Sequence, residues 1–157
     1  MNKITTWLWF NTEAEEAAKY YVSVFRNARM GEITHAPGGG EPHVQEGQVL
    51  TVGFEIEGKP FYALNGGNSD FPFNPGISFM ILCDEQNEID EYWSRLLGDG
   101  GKEIACGWIT DKYGLAWQIT PRSLMELMNG RDRARAARVM AAMQKMIKLD
   151  KAVLEAA

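Results

Sequence analysis

A strand-then-helix pattern occurs twice in this chain, and that recurrence limits its possible folds more than any other feature. Residues 4–10 (I-T-T-W-L-W-F) have the composition of a strand. Thr12-Glu13-Ala14-Glu15 then matches the S/T-x-x-E capping box and predicts a helix start. Ala17, Tyr20, Tyr21, Val24 and Phe25 follow on one helical face at i, i+3, i+4 spacing. Residues 77–83 (I-S-F-M-I-L-C) predict another strand, Asp84 a helix cap, and Gly98 the end of the second helix. The apolar face of that helix is Ile89, Tyr92, Trp93, Leu96 and Leu97. Tyr20-Tyr21 and Tyr92-Trp93 fall at the same place in the two helices, as do Glu13 and Glu85, and Glu16 and Glu88. Strand-like runs and glycine turns come next. In the first unit they are 30–36, 49–57 and 60–65, with a Gly58-Lys59 turn; in the second they are 102–110 and 115–120. The predicted class is α+β, with βαβββ written twice in one domain over 1–157. Module one covers 1–67 and module two 76–121, with a linker at 66–76 and a C-terminal helical segment at 122–157.

The stretch 106–121 (C-G-W-I-T-D-K-Y-G-L-A-W-Q-I-T-P) is a predicted hairpin. Two apolar runs flank Asp111-Lys112-Tyr113-Gly114, and glycine suits a turn position with φ > 0. Pro121 stops the second strand. Beyond it, Ser123 and Glu126 form another capping box, Asn129-Gly130 breaks that short helix, and a longer helix is expected from about Asp132. Val139, Met140, Met143, Met146, Ile147 and Leu149 give the longer helix an apolar stripe. The stripe suits either packing on the domain's own sheets or a subunit contact, since methionine adapts to irregular surfaces.

Bulk properties exclude several classes. A 157-residue chain that is 45% hydrophobic can bury a core without disulfides. A net charge of −5 argues against a general nucleic-acid binder. Arg131, Arg133, Arg135 and Arg138 alternate with other residues as a solvated helix face would. The two cysteines, Cys83 and Cys106, form no CxxC, and Met1-Asn2-Lys3 leads straight into a strand rather than a signal sequence. A reducing cytoplasm is the expected location. No apolar run approaches the ~18 residues of a membrane span.

Several short motifs together resemble the vicinal oxygen chelate superfamily, which includes glyoxalase I, bleomycin-resistance proteins and extradiol dioxygenases. They are L-W-F at 8–10, A-E-E-A-A-K-Y-Y at 14–21, A-L-N-G-G at 63–67, I-S-F at 77–79, C-G-W at 106–108, D-K-Y-G-L-A-W-Q at 111–118 and A-A-R-V-M-A-A-M at 136–143. The resemblance is strongest to its PhnB-like branch, often labelled demethylubiquinone methyltransferase-like. It implies paired βαβββ modules whose curved mixed sheets enclose a small-molecule cavity, and it implies a homodimer.

Metal-using relatives hold a divalent ion with His, Glu or Gln from four cavity strands. The resemblance matches those positions to Thr5, Ala63 or Asn65, Ser78 and Gln118, of which only Gln118 is a customary ligand type. His35 and His43 flank the loop that holds Gly38-Gly39-Gly40, at no helix-face spacing. No tightly held metal and no cofactor are therefore expected. Strand alternation puts Trp7 and Trp9 on one face and Leu8 and Phe10 on the other, under the helix. The predicted binding residues are Trp9, Asn65, Ser78, Trp108 and Gln118, polar groups among aromatic walls. The expected function is binding of a small organic molecule by a homodimer, with no nucleic-acid or membrane partner. The alternatives are a metal-dependent lyase or isomerase of the glyoxalase kind and, last, a methyltransferase. No glycine-rich strand-to-helix turn for a methyl-donor nucleotide supports the methyltransferase.

Overall fold

In the computed structural model, which describes residues 3–40 and 42–157, the first and last strands of each repeat lie side by side and parallel. The chain divides into two units, one ending at Pro72 and the other running from Phe73 to Ala157.

In the first unit, β1 (Thr6–Phe10), α1 (Ala14–Val24), β2 (Ala28–His35), β3 (Val49–Ile56) and β4 (Lys59–Asn65) form a sheet in the order β1-β4-β3-β2. Leu8 pairs with Ala63 and Phe10 with Asn65, while Trp7 pairs with Tyr62 and Trp9 with Leu64. Successive side chains alternate faces, so the register sorts the strand. Leu8 and Phe10 are 4% and 5% exposed and share their face with Val52, Phe54, Phe61 and Ala63. α1 lies over this sheet and buries Ala14, Ala17, Ala18, Tyr21 and Val24. Tyr21 stacks on Phe54 at 5.9 Å, and Phe54 on Phe61 at 5.4 Å. Full burial of side chains this size contributes roughly 1.5–3 kcal/mol each. The strand register is therefore the one that sequence alternation predicts.

The β3–β4 turn has positive φ at both Glu57 (48°) and Gly58 (73°), the type I′ geometry of a two-residue hairpin. The turn sits one residue earlier than Gly58-Lys59, because Lys59 already pairs with Ile56. The cap of α1 also differs from expectation. Glu13 is the N-cap residue and makes no side-chain cap bond. The Ala14 amide instead donates to Asn65 Oδ1 at 2.8 Å, so β4 supplies the cap.

The second unit repeats this topology. β5 (Ser78–Cys83), α2 (Gln86–Leu97), β6 (Lys102–Glu103), β7 (Trp108–Thr110) and β8 (Ala116–Pro121) form a sheet in the order β5-β8-β7-β6. α2 buries Ile89, Trp93 and Leu96 and ends at Gly98, as its sequence predicts. Its start departs from prediction, since neither Glu85 nor Asp84 caps it. Asp84 Oδ1 accepts from Arg122 Nε, and the Asp84 amide donates back to Glu88 Oε2.

The predicted strand 102–110 is broken between β6 and β7, where Cys106 (φ 54°) and Gly107 (φ 85°) turn the chain. Their amides donate to the carbonyls of Met146 and Ile147 at 2.8 and 2.7 Å. The longer helix expected from about Asp132 does form, but it ends at Met143, and with the Met146 and Ile147 carbonyls turned towards β7 it does not run on through Leu149. What forms is α3 (Arg122–Asn129), α4 (Arg133–Met143) and α5 (Lys151–Ala156). Asp132 and Asp150 cap the last two through the amides of Arg135 and Val153. α3 starts at Arg122 without a side-chain cap, so the Ser123–Glu126 box does not form. Leu124, Val139, Leu149 and Leu154 make this segment's own core, with Met143 and Met146 packed against it. Ile147, by contrast, is 50% exposed. Most of the methionine stripe therefore packs internally.

Asp111 ties the β7–β8 hairpin together. It is 2% exposed. Its Oδ1 accepts from the amides of Tyr113 (2.9 Å) and Leu115 (3.1 Å), and Oδ2 from the Trp117 indole N–H (2.9 Å). Gly114 completes the turn at φ 86°. This accounts physically for the D-x-x-G-L-x-W spacing. Among the described residues, no helix is long and apolar enough to cross a membrane.

Two stability predictions follow from this packing. Asp111→Ala removes the acceptor of two buried donors and one half-buried one, and should cost about 3 kcal/mol or more in denaturant unfolding. Met143→Glu should cost about 2–3 kcal/mol because it places a charge against the helical core, whereas Ile147→Glu should stay within about 0.5 kcal/mol.

Candidate functional site

A helix covers one side of each sheet, and the predicted site residues divide between the two sides. In the second sheet, Met80, Gln118 and Trp108 lie in one row across three strands, with Ser78 and Thr110 in the next row on the same face. The opposite face carries Phe79, Trp117 and Ile109, the last two fully buried. Met80 and Leu82 are 43% and 38% exposed, so the Gln118 face is the open one. Gln118 Nε2 donates to Ser78 Oγ at 2.8 Å. Gln118 Oε1 and the Ser78 hydroxyl proton have no further partner among the described residues. The structure thus brings together Ser78, Trp108 and Gln118, with an acceptor and a donor adjacent on a partly apolar surface.

In the first sheet the open face carries Trp7, Trp9, Tyr62, Leu64 and Thr51. Trp7 stacks on Tyr62, with ring centroids 4.7 Å apart and planes 14° from parallel, yet remains 53% exposed. Trp9 is half-buried: its indole N–H donates to the Asn68 carbonyl, and Phe71 meets it edge-on at 5.2 Å. Trp7 and Tyr62 share this open face and were not singled out from the sequence. Alternation in K-P-F-Y-A-L-N, set against T-W-L-W-F, is the signal that pairs them.

Asn65 departs from its predicted role. It is 8% exposed and in register with Phe10, on the helix-facing side. Its Oδ1 holds the Ala14 amide and its Nδ2 donates to the Val49 carbonyl. Both ends of the amide are engaged in joining β4, β3 and α1, so it does not stand among the aromatic walls. His35 and His43 line a separate cleft of about 380 Å³ near the start of α1, beside Thr12, Glu15 and Asn65.

The glycines of A-L-N-G-G are required by close approach. A Cβ on Gly66 would lie 1.9 Å from a ring carbon of Trp9, and one on Gly67 would lie 1.9 Å from the His43 Cβ. Gly67 also sits at φ 71°. Cys83 is not a nucleophile. Burial first, then the nearby Glu88 and Asp84 carboxylates, push its thiol up to about 12.

The donor set does not fit a divalent transition metal. Thr5 Oγ1 accepts the Trp7 indole N–H. Ala63 and Asn65 both point to the helix side. Ser78 and Gln118 supply only a hydroxyl and a carboxamide. Among the described residues, no group of three His, Cys, Asp or Glu side chains is placed to hold an ion.

Residues 2–120 match the family model described as 3-demethylubiquinone-9 3-methyltransferase. The chain belongs to that family. It lies in the PhnB-like branch of the vicinal oxygen chelate superfamily, as its motifs indicate. A Bacillus cereus PhnB protein carrying the same methyltransferase name is 32% identical. That likeness covers 76% of this chain and 99% of the relative, with a TM-score of 0.67. A Pseudomonas aeruginosa protein shares the fold at 17% identity and TM-score 0.62, over 77% of this chain and 98% of its own. An Arabidopsis thaliana gene product does so at 14% identity and TM-score 0.51, over 76% and 98%. No curated protein is similar enough to match.

The Gly66 approach gives a direct check on the first open face. Gly66→Ala should displace the Trp9 indole, change tryptophan emission and cost about 1–3 kcal/mol. Gly39→Ala, where an added Cβ meets nothing within 4 Å, should do neither.

Proposed function

We propose that the protein binds a small organic molecule on its open sheet faces, without a tightly held metal. One observation carries this reading: the Ser78–Gln118 pair, with an unmet acceptor and donor, set beside Trp108 and Met80 on the exposed face of the second sheet. A few convergent polar groups on an apolar wall orient a ligand while burial of its surface drives binding. The pair suits a ligand bearing a hydrogen-bond donor next to an acceptor. Trp9 offers a ring face in the first unit, its polar edge being already engaged. The Ser78–Gln118 pair would serve any reaction here by positioning and hydrogen bonding, and Lys102, in register with Thr110, is the basic side chain on the same face.

The methyltransferase name is not supported by the residues. Gly38-Gly39-Gly40 joins β2 to β3, two antiparallel strands, and opens no helix N-terminus for a nucleotide-like methyl donor. The donor set speaks against the glyoxalase reading, since among the described residues no three His, Cys, Asp or Glu side chains are placed together. We further propose a homodimer in a reducing cytoplasm. The superfamily resemblance supports the dimer, and two free cysteines with no disulfide support the compartment.

The test is a thermal-shift screen of small neutral aromatic compounds on the intact chain, since a binder of the folded state raises its stability. A hit should lose about tenfold in affinity in Gln118→Ala, an exchange of about one hydrogen bond. Its quench of tryptophan emission should disappear in Trp108→Phe or Trp9→Phe. One nickel, zinc or iron per subunit that is lost in Gln118→Ala would instead establish the metal enzyme. Calorimetric binding of S-adenosylmethionine would establish the methyltransferase. Sedimentation of the intact chain as a monomer at high concentration would remove the dimer.

A further inference from the structure

The helical segment after β8 lies beyond the residues that the family model matches. The family model stops at residue 120, and the Bacillus cereus relative is matched over 99% of its own length by 76% of this chain. The segment has its own core in Leu124, Val139, Leu149 and Leu154, and it encloses a cleft of about 460 Å³. That volume is within the range of small-molecule sites, roughly 300–1,000 Å³.

Charges of both signs line this cleft, and of these Glu126 feels only the more distant Arg122 charge. Arg131 and Glu126 both face it, and neither makes a hydrogen bond or ion pair among the described residues. The other charges are engaged. Arg135 Nη2 donates to the Glu155 carbonyl at 2.7 Å, Asp132 caps α4, and the Glu155 carboxylate pairs with Lys151 at 3.0 Å. Ser123 Oγ is closed off from solvent and makes no well-formed hydrogen bond. It still lies near enough to Glu155 to help hold that carboxyl below its ordinary range, with Lys151 acting in the same direction. Leu127 supplies an apolar wall.

We propose that this cleft binds an α-amino carboxylate zwitterion with an apolar side chain. Arg131 takes the carboxylate, for which the guanidinium fork is shaped. Glu126 takes the ammonium group, and Leu127 borders the side chain. Two exposed charges of opposite sign in one cleft would each repel a ligand of their own sign. A ligand carrying both charges satisfies both, which selects it over a simple anion or cation. None of the residues lining the cleft lies on the open sheet faces, so the two proposals are tested separately.

The experiment is calorimetric titration of the full chain with L-leucine, N-acetyl-L-leucine, L-leucinamide and the dipeptide leucyl-leucine. The expected result is saturable binding of leucine or the dipeptide, weakened about tenfold in Arg131→Gln and in Glu126→Gln, the loss of one charge-assisted bond in each. N-acetyl-leucine and leucinamide, each lacking one charge, should be weakened similarly. Tighter binding of leucine assigns the site to free amino acids, and tighter binding of the dipeptide assigns it to peptides. Equal binding of the singly charged analogues, unchanged affinity in both variants, or no saturation by about 10 mM, the edge of weak specific affinity, would overturn the proposal. Both variants are at exposed positions, so loss of fold does not confuse the result.

Discussion

The parallel pairing of the first strand of each unit with the last governs the rest of the structure. A parallel pair cannot be closed by a tight turn, so the chain must cross over between the strands. Here the crossover contains one helix and two further strands, and the helix lies on one side of the sheet it helps to build. One face is thereby covered and the other left open. The same strand order arises in both units, β1-β4-β3-β2 and β5-β8-β7-β6, from sequences with few identities. What they share is the pattern that such a crossover needs: a short apolar strand, a helix with one apolar face, and a terminal strand with apolar side chains in register with the first.

Two polar side chains hold these units where apolar packing alone would leave the backbone unsatisfied. Asn65 joins the end of β4 to the first turn of α1 and to β3. Asp111 gathers two turn amides and the Trp117 indole. Both are buried, and in both the residue type follows from the donors and acceptors it meets. Asn65 needs an acceptor and a donor at once, which an amide provides. Asp111 meets only donors, which a carboxylate serves. Residues of this kind are easily taken for site residues, because burial and polarity are also the signature of a binding pocket.

The proposed binding surface is what the helices leave uncovered. The open face of the second sheet combines a hydroxyl–carboxamide pair with tryptophan and methionine. That of the first is aromatic, with Trp7 stacked on Tyr62. The carboxylate in register with the first open face, Glu55, pairs with Arg29, so neither face gathers the carboxylates and imidazoles that would bind a metal ion strongly. Family membership here establishes a fold and an evolutionary branch. The chemistry depends on side chains that vary freely on such a frame.

Local sequence was sufficient for the repeat, the strand register and the hairpin. Alternation of apolar residues decides a strand's buried face, and Leu8 and Phe10 were legible on that ground. The same alternation set Trp9 opposite them, and the register places Ser78, Trp108 and Gln118 together on one open face. Asn65 was not legible, because its partners are the Ala14 amide and the Val49 carbonyl, distant in sequence. The helix caps were misjudged for the same reason. A local Thr12 or Asp84 was available in each case, but the protein used Asn65 for one cap and turned Asp84 to Arg122 in the other. The C-terminal helix looked continuous because its propensity is local. Its break was decided by the Cys106 and Gly107 amides, some forty residues away, taking the Met146 and Ile147 carbonyls. The sequence by itself determined which segments are strands and helices and which way they face. Tertiary structure alone decided which polar groups meet, since hydrogen-bond partners are chosen by proximity in space.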